Sequence, residues 1–69
     1  MNKEYHIVLH TDGNRYANKG STNYTYDLFA ENGDEARSNA IDLWEQVYGS
    51  LTEKERNEMF MRATYGVKK

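Results

Sequence analysis

The sequence predicts a small α+β fold, in which an antiparallel sheet is followed by two helices packed on one of its faces. Two early segments alternate apolar and polar residues at period two, and two later segments begin with helix-capping signals and continue with apolar residues at helical spacing. Strands that precede helices in this order are typical of a sheet covered on one side. The 69 residues are expected to form one domain.

The first predicted strand covers residues 4–10, which read E-Y-H-I-V-L-H and place apolar side chains on one face. Asp12-Gly13 follows, a dipeptide that favours a tight hairpin because both central residues of such a turn need positive φ. Residues 14–22 contain many turn-forming residues, and they fit either a short second strand or an irregular loop.

A further strand is predicted at residues 23–30, where the sequence N-Y-T-Y-D-L-F-A alternates and is rich in aromatic and β-branched residues. Together these segments form a hairpin or meander over residues 4–30. Its predicted apolar face includes Tyr24, Tyr26 and Leu28. The expected sheet therefore has two long strands, with a third, short one if residues 14–22 contribute to it.

The first helix is predicted at residues 33–48, with Asn32 as its N-cap, Glu35 in the capping-box position and Gly49 as a left-handed residue at its end. Its apolar arc is wide and includes Ala36, Ala40, Ile41, Leu43, Trp44, Val47 and Tyr48. A helix on a small sheet needs a narrower apolar stripe, so the excess must be covered by the second helix, a second subunit or a target.

The second helix is predicted at residues 53–63, because Thr52 and Glu55 form a capping box and no Gly or Pro interrupts the segment. Its apolar face is small and consists of Met59, Phe60 and Ala63. The tail at residues 66–69 is expected to be frayed.

The composition excludes several classes of function. The chain has no Cys, which is compatible with a reducing compartment, and it has no apolar stretch long enough to span a bilayer, so we expect a cytoplasmic protein that does not contact membranes. His6 and His10 are the only imidazoles, and on a strand they stand about 13 Å apart, too far to bind one ion together. We therefore expect no enzyme, and no catalytic, cofactor-binding or metal-binding residues.

The middle of the chain is acidic, with six carboxylates and one arginine between residues 27 and 46, although the net charge of the whole chain is only −2. Five of these carboxylates, which we call the acidic stripe, are candidates for binding a partner: Glu31, Asp34, Glu35, Asp42 and Glu45. The stripe can imitate spaced phosphates in front of a basic groove. It can equally be a solvated helix face whose first carboxylates compensate the helix dipole.

A second set of candidate partner-binding residues consists of aromatic and Met side chains that have no predicted position in the core: Tyr16, Tyr48, Met61 and Tyr65. Tyr, Trp and Met are enriched where a surface is buried against another protein. These residues therefore either form an interface or complete a thin core.

The order of a strand, Asp-Gly, a short strand and a strand leading into E-A-R-S-N-A-I-D-L-W resembles two known arrangements over about the first 48 residues. One is the HicB-type antitoxin domain, which would imply a toxin partner. The other is the arm-site DNA-binding domain of tyrosine integrases, whose sheet enters the major groove. The chain lacks the Pro-containing loop of the first, and the basic side chains typical of the second are reduced to Lys3, Arg15 and Lys19.

These observations favour a non-enzymatic protein-binding module, an inhibitor or accessory regulator of the kind that phages and mobile elements encode. It would occlude a surface of a larger partner, which could itself bind nucleic acid. A homodimer is also expected, because a chain this short forms only a thin core. The alternative is direct nucleic-acid binding through the hairpin tip, with Arg15, Tyr16 and Lys19.

Overall fold

The computed structural model describes residues 2–10 and 23–68 of the chain. The elements follow one another as β1 (Lys3–His10), β2 (Asn23–Ala30), α1 (Gly33–Tyr48), α2 (Glu53–Arg62) and β3 (Thr64–Val67). The predicted α+β class, with an antiparallel sheet followed by helices, is confirmed. The predicted Asp12-Gly13 turn, and the short strand or loop at 14–22, lie outside the described residues.

The sheet has the strand order β2-β1-β3, and both neighbouring pairs are antiparallel. β1 is the central strand. It pairs with β2 over its whole length, from Lys3 opposite Ala30 to His10 opposite Asn23. On its other side β1 pairs with the four residues of β3, so β2 and β3 are the outer strands of the sheet in the part of the chain that the structure describes.

The C-terminal segment corrects one prediction. Residues 66–69 were expected to fray, but Gly66 and Val67 pair with β1, and the Lys68 N–H donates to the Glu4 carbonyl at 2.8 Å. β3 supplies hydrogen-bond partners to backbone groups of β1 that face away from β2. A tetrapeptide that reads T-Y-G-V is too short to show alternation, and its partner strand lies at the other end of the chain, so local sequence could not reveal the pairing.

Both helices begin at the predicted residues, but the Glu35 side chain of α1 accepts from the Glu31 N–H instead of the Asn32 N–H that the predicted capping box requires. The Asn32 side chain accepts from the Glu35 N–H at 2.8 Å, and Thr52 and Glu55 form the complete capping box at 3.0 and 3.1 Å. Gly49 ends α1 with φ of +114° and ψ of 160°. The positive φ agrees with the prediction, but the extended ψ differs from a left-handed residue and belongs to a region that is almost exclusive to glycine.

The core lies between one face of the sheet and the two helices. Its buried apolar residues come from β1 (Tyr5, Ile7 and Leu9), the end of β2 (Ala30), α1 (Ala36, Ala40, Ile41 and Trp44), α2 (Met59) and the residue after α2 (Ala63). The helices therefore pack on one face, as predicted. Tyr24, Tyr26 and Leu28 of β2 are half-buried against the same core.

The wide apolar arc of α1 divides into a covered and an uncovered part. Ile41 is fully buried, whereas Leu43 and Val47, which were expected to share the apolar face, are 41% and 71% exposed. At 100° per residue, these two side chains lie on the flank that faces away from the residues contacting α2. The second helix thus covers one side of the arc and leaves the other open.

Candidate protein-binding surface

The acidic stripe is largely engaged within the chain. Asp34 lies 2.5 Å from the Arg37 guanidinium, while Asp42 and Glu45 bind the Arg56 guanidinium at 2.8 and 3.0 Å. Arg56 also donates to the side chain of Ser38 at 3.0 Å, which fixes α2 against α1. Two arginines therefore compensate three of the five carboxylates.

The carboxylates of Glu35 and Glu45 also accept hydrogen bonds at the two ends of α1. Glu35 Oε1 accepts from the Glu31 N–H at 2.6 Å, beside the Asn32 cap. In addition to its ion pair, Glu45 accepts from the Leu51 N–H at 2.8 Å and so holds the connection between the helices. Most of the stripe thus has a structural role, and Glu31 is exposed without contributing its own carboxylate to these bonds.

Tyr65, a predicted partner-binding residue, is half-exposed but held in place. Its ring lies 5.8 Å from the Tyr5 ring, edge to face, and 5.3 Å from the Arg37 guanidinium. A β-carbon at Gly33 would overlap the Tyr65 ring, so the glycine makes room for it at the start of α1. Tyr65 therefore anchors β3 to the helical layer and exposes only part of its surface.

Met61 is 78% exposed on the outer side of α2. It borders an open depression of about 530 Å³ whose described lining also includes Glu53, Lys54, Asn57, Glu58 and Arg62. This surface mixes both signs of charge around one flexible apolar side chain. Tyr16, another predicted partner-binding residue, lies outside the described residues, as do Arg15 and Lys19 of the alternative hairpin-tip site.

Three aromatic rings cluster where the end of α1 meets the start of β2. The Trp44 and Tyr48 rings are 5.0 Å apart, Tyr24 lies 5.1 Å from Tyr48, and Tyr24 meets the edge of Trp44 at 5.9 Å. Trp44 is almost completely buried, whereas Tyr48 is 46% exposed. Trp44 thus forms a fixed base on which two partly exposed tyrosines rest.

Leu43 and Val47, neighbours one helical turn apart, lie on the uncovered flank of α1, on the side of Trp44 opposite to Tyr48. We call the combined surface the aromatic patch and define it by five residues: Tyr24, Leu43, Trp44, Val47 and Tyr48. Of these, sequence reasoning proposed Tyr48 for an interface. It placed Tyr24 on the apolar face of the sheet, and Leu43, Trp44 and Val47 on the wide apolar arc of α1, whose excess was to be covered by the second helix, a second subunit or a target.

The environment of the aromatic patch also affects Tyr26. Burial raises the pKa of Tyr26 above its ordinary value, with smaller contributions in the same direction from Tyr48 and Tyr24. The three phenols therefore lie close enough to influence one another. Tyr24 and Tyr26 thus form a half-buried pair on the helical side of β2, next to Tyr48.

The opposite face of the sheet carries polar side chains that connect all three strands. His6 Nδ1 lies 2.7 Å from Asp27 Oδ1, and Lys68 Nζ lies 3.5 Å from Asp27 Oδ2. The hydrogen bond from His6 lowers the pKa of Asp27; partial desolvation opposes this shift, and the charge of Lys68 adds to it. The His6 and Asp27 side chains are 49% and 45% exposed, so they form a solvated cross-strand pair.

His10 makes a second cross-strand connection on this face. Its Nδ1 lies 2.9 Å from Asn23 Oδ1 and its Nε2 lies 3.3 Å from Thr64 Oγ1, which links β2, β1 and β3. Within residues 2–10 and 23–68, no group of three or more His, Asp or Glu side chains converges to hold a metal ion. Neither helix in this part of the chain is long and apolar enough to cross a bilayer.

Comparisons of the chain with models of known protein families, with curated proteins and with solved structures found no match. The resemblances to antitoxin and integrase domains thus remain expectations from the sequence.

Proposed function

We propose that this chain is a small non-enzymatic protein-binding module, an inhibitor or accessory regulator that covers a surface of a larger protein. The observation that carries this proposal is the aromatic patch, where exposed Leu43 and Val47 on one side and half-exposed Tyr48 on the other flank the buried Trp44. Tyr and Trp are the residue types that most often dominate the binding energy of protein interfaces.

The aromatic patch is also well ordered for binding. Trp44 is buried and packs against Tyr24 and Tyr48, so these side chains have little rotational freedom left to lose when a partner covers them. Leu43 and Val47 are part of a capped helix of 16 residues. A rigid apolar surface of this kind fits an apolar recess on a folded partner.

The internal ion pairs weaken the interpretation of the acidic stripe as a phosphate mimic, because Arg37 and Arg56 compensate three of its carboxylates. The proposal that the partner itself binds nucleic acid therefore rests on the acidic composition of residues 27–46. The proposals of a phage or mobile-element origin and of a cytoplasmic location rest on the size and composition of the chain.

The test is affinity capture of the tagged chain from a bacterial lysate, with and without nuclease, using the wild type and two matched variants. Val47→Lys alters the aromatic patch, and Met61→Lys alters a similarly exposed apolar residue on α2. Both variants are expected to fold, which circular dichroism checks. We expect a stoichiometric protein partner that survives nuclease, is lost with Val47→Lys and is retained with Met61→Lys.

Other outcomes contradict the proposal in different ways. Loss of the partner with Met61→Lys alone would move the interface to the outer side of α2. Recovery of nucleic acid that nuclease removes, with no protein beside it, would favour the alternative function at Arg15, Tyr16 and Lys19. Recovery of the tagged chain alone would contradict binding to any partner present in that lysate.

A further inference from the structure

Among the strands of residues 2–10 and 23–68, β2 is a long edge strand without the features that usually protect an edge. Its eight residues span about 27 Å, and they pair with β1 on one side, while no strand among the described residues pairs with the other side. Natural edges are commonly short or carry Lys, Pro or a bulge. β2 contains no Lys, Arg, Pro or Gly, and its one charge, Asp27, already binds His6 and Lys68.

The other edge of the sheet differs in this respect. β3 has only four residues and includes Gly66, so it offers a short and weakly structured ladder. β2 instead presents a strip rich in aromatic and β-branched residues, with half-buried side chains on the helical side and exposed ones on the other. The longer edge, that of β2, is therefore the predicted site at which a further strand would add.

We propose that a second copy of this chain pairs with β2, antiparallel and about a two-fold axis, to form a six-stranded sheet in the order β3-β1-β2-β2-β1-β3. An axis perpendicular to the sheet keeps the helices of both copies on the same face. The pairing uses the backbone edge of β2, so it goes beyond the proposed binding of a larger protein and does not depend on it.

Only a few registers satisfy this symmetry. Residues directly opposite each other in a sheet share a face, so helix-facing residues must pair with helix-facing residues. The two longest pairings place either Tyr26 or Asp27 on the axis. With Asp27 on the axis, two carboxylates would face each other, which is unfavourable.

The register with Tyr26 on the axis avoids this repulsion. It places Thr25 of each copy opposite Asp27 of the other, and Tyr24 opposite Leu28, so the half-buried apolar strip continues from one copy to the next. In this register, helix-facing residues of one β2 lie opposite helix-facing residues of the other, and residues of the exposed face lie opposite each other. A strand from a different protein would need the same alternation. The dimer would also carry two aromatic patches on one face.

Sedimentation equilibrium of the purified full chain, from about 1 µM to 1 mM, tests the proposal with opposite charges introduced at Thr25. This residue is exposed and faces Val8 within its own chain, so both substitutions should preserve the fold. Thr25→Lys places two new cations opposite Asp27 across the axis, and Thr25→Glu places two new anions there. We expect dimers that are about tenfold tighter and about tenfold weaker than the wild type, respectively, at low salt.

Three results would overturn the proposal. The wild type could remain a monomer throughout this range, or the two Thr25 variants could shift the equilibrium equally. A dimer that is lost with Val47→Lys but indifferent to charge at Thr25 would use the aromatic patch instead of the β2 edge. Val47→Lys leaves the β2 edge intact. If this variant still forms a dimer in sedimentation but no longer captures the larger partner, the two proposals concern different surfaces.

Discussion

The two flanks of α1 differ in how completely the chain covers them. Toward α2, Ile41 is fully buried and Glu45 binds both Arg56 and the Leu51 N–H. On the other flank, Leu43 and Val47 are exposed although they are equally apolar. The comparison shows that helical periodicity defines an apolar arc, whereas the position of the second helix decides which part of it becomes core.

The largest expected effect is a difference in unfolding free energy between alanine substitutions at Ile41 and Leu43, which lie on opposite flanks of α1. Ile41→Ala should lower the free energy of unfolding by about 2–5 kcal/mol, because it removes buried methyl groups and leaves a cavity. Leu43→Ala should change it by less than about 1 kcal/mol, since Leu43 is 41% exposed. Urea denaturation followed by circular dichroism measures both values.

Ile41→Val provides a graded control, for which we expect a loss of about 0.5–1.5 kcal/mol. This milder variant keeps the comparison measurable if Ile41→Ala does not fold. Equal losses for the alanine substitutions at Ile41 and Leu43 would mean that the chain covers both flanks to a similar degree. That result would remove the uncovered flank on which the aromatic patch depends.

A smaller loss of stability is expected when the polar contacts on the covered flank are removed. Arg56→Gln removes the ion pairs with Asp42 and Glu45, and it should cost about 1–2 kcal/mol because the Arg56 side chain is only 31% exposed. The matched control is Asp34→Asn, whose carboxylate is 76% exposed and should contribute about 0.5 kcal/mol or less.

Unfolding experiments at low and high salt test this second difference. The loss caused by Arg56→Gln should shrink as salt screens the wild-type ion pairs. If the two variants behaved alike, Arg56 would contribute no more than an ordinary surface charge to holding α2 on α1.

The smallest expected effect on stability is a pH dependence that comes from the polar face of the sheet, the face that points away from the helices. The pKa of Asp27 is lowered in the folded chain, mainly by the hydrogen bond from His6. The stability that this carboxylate contributes is therefore present above the ordinary aspartate pKa of about 3.9 and is lost as the pH falls through the lower folded-state value.

Unfolding of the wild type and Asp27→Asn between pH 5 and about pH 2 measures this contribution. The wild type should lose more stability over this range than the variant, and NMR titration should place the Asp27 pKa below its ordinary value. Identical pH dependence of the two proteins would show that the His6 contact has no energetic role.

Local sequence signals determined a large part of this fold. The alternation in β1 and β2 specified which side chains face the helices, because the two faces of a strand differ strictly by position. The caps at Asn32 and Thr52 specified where the helices begin, since each provides an acceptor for backbone N–H groups three residues on. The excess apolar width of α1 also indicated that a surface would remain.

Only the tertiary structure decided the features that depend on distant parts of the chain. β3 exists because β1 offers backbone groups to a segment at the far end of the sequence, and the four residues of β3 carry no pattern of their own. The acidic stripe looked like a free charged surface until Arg56 of α2 was placed against α1. Likewise, the docking of α2 on one flank buries Ile41 and leaves Val47 exposed, because burial is a property of the assembled neighbours and not of the helix alone.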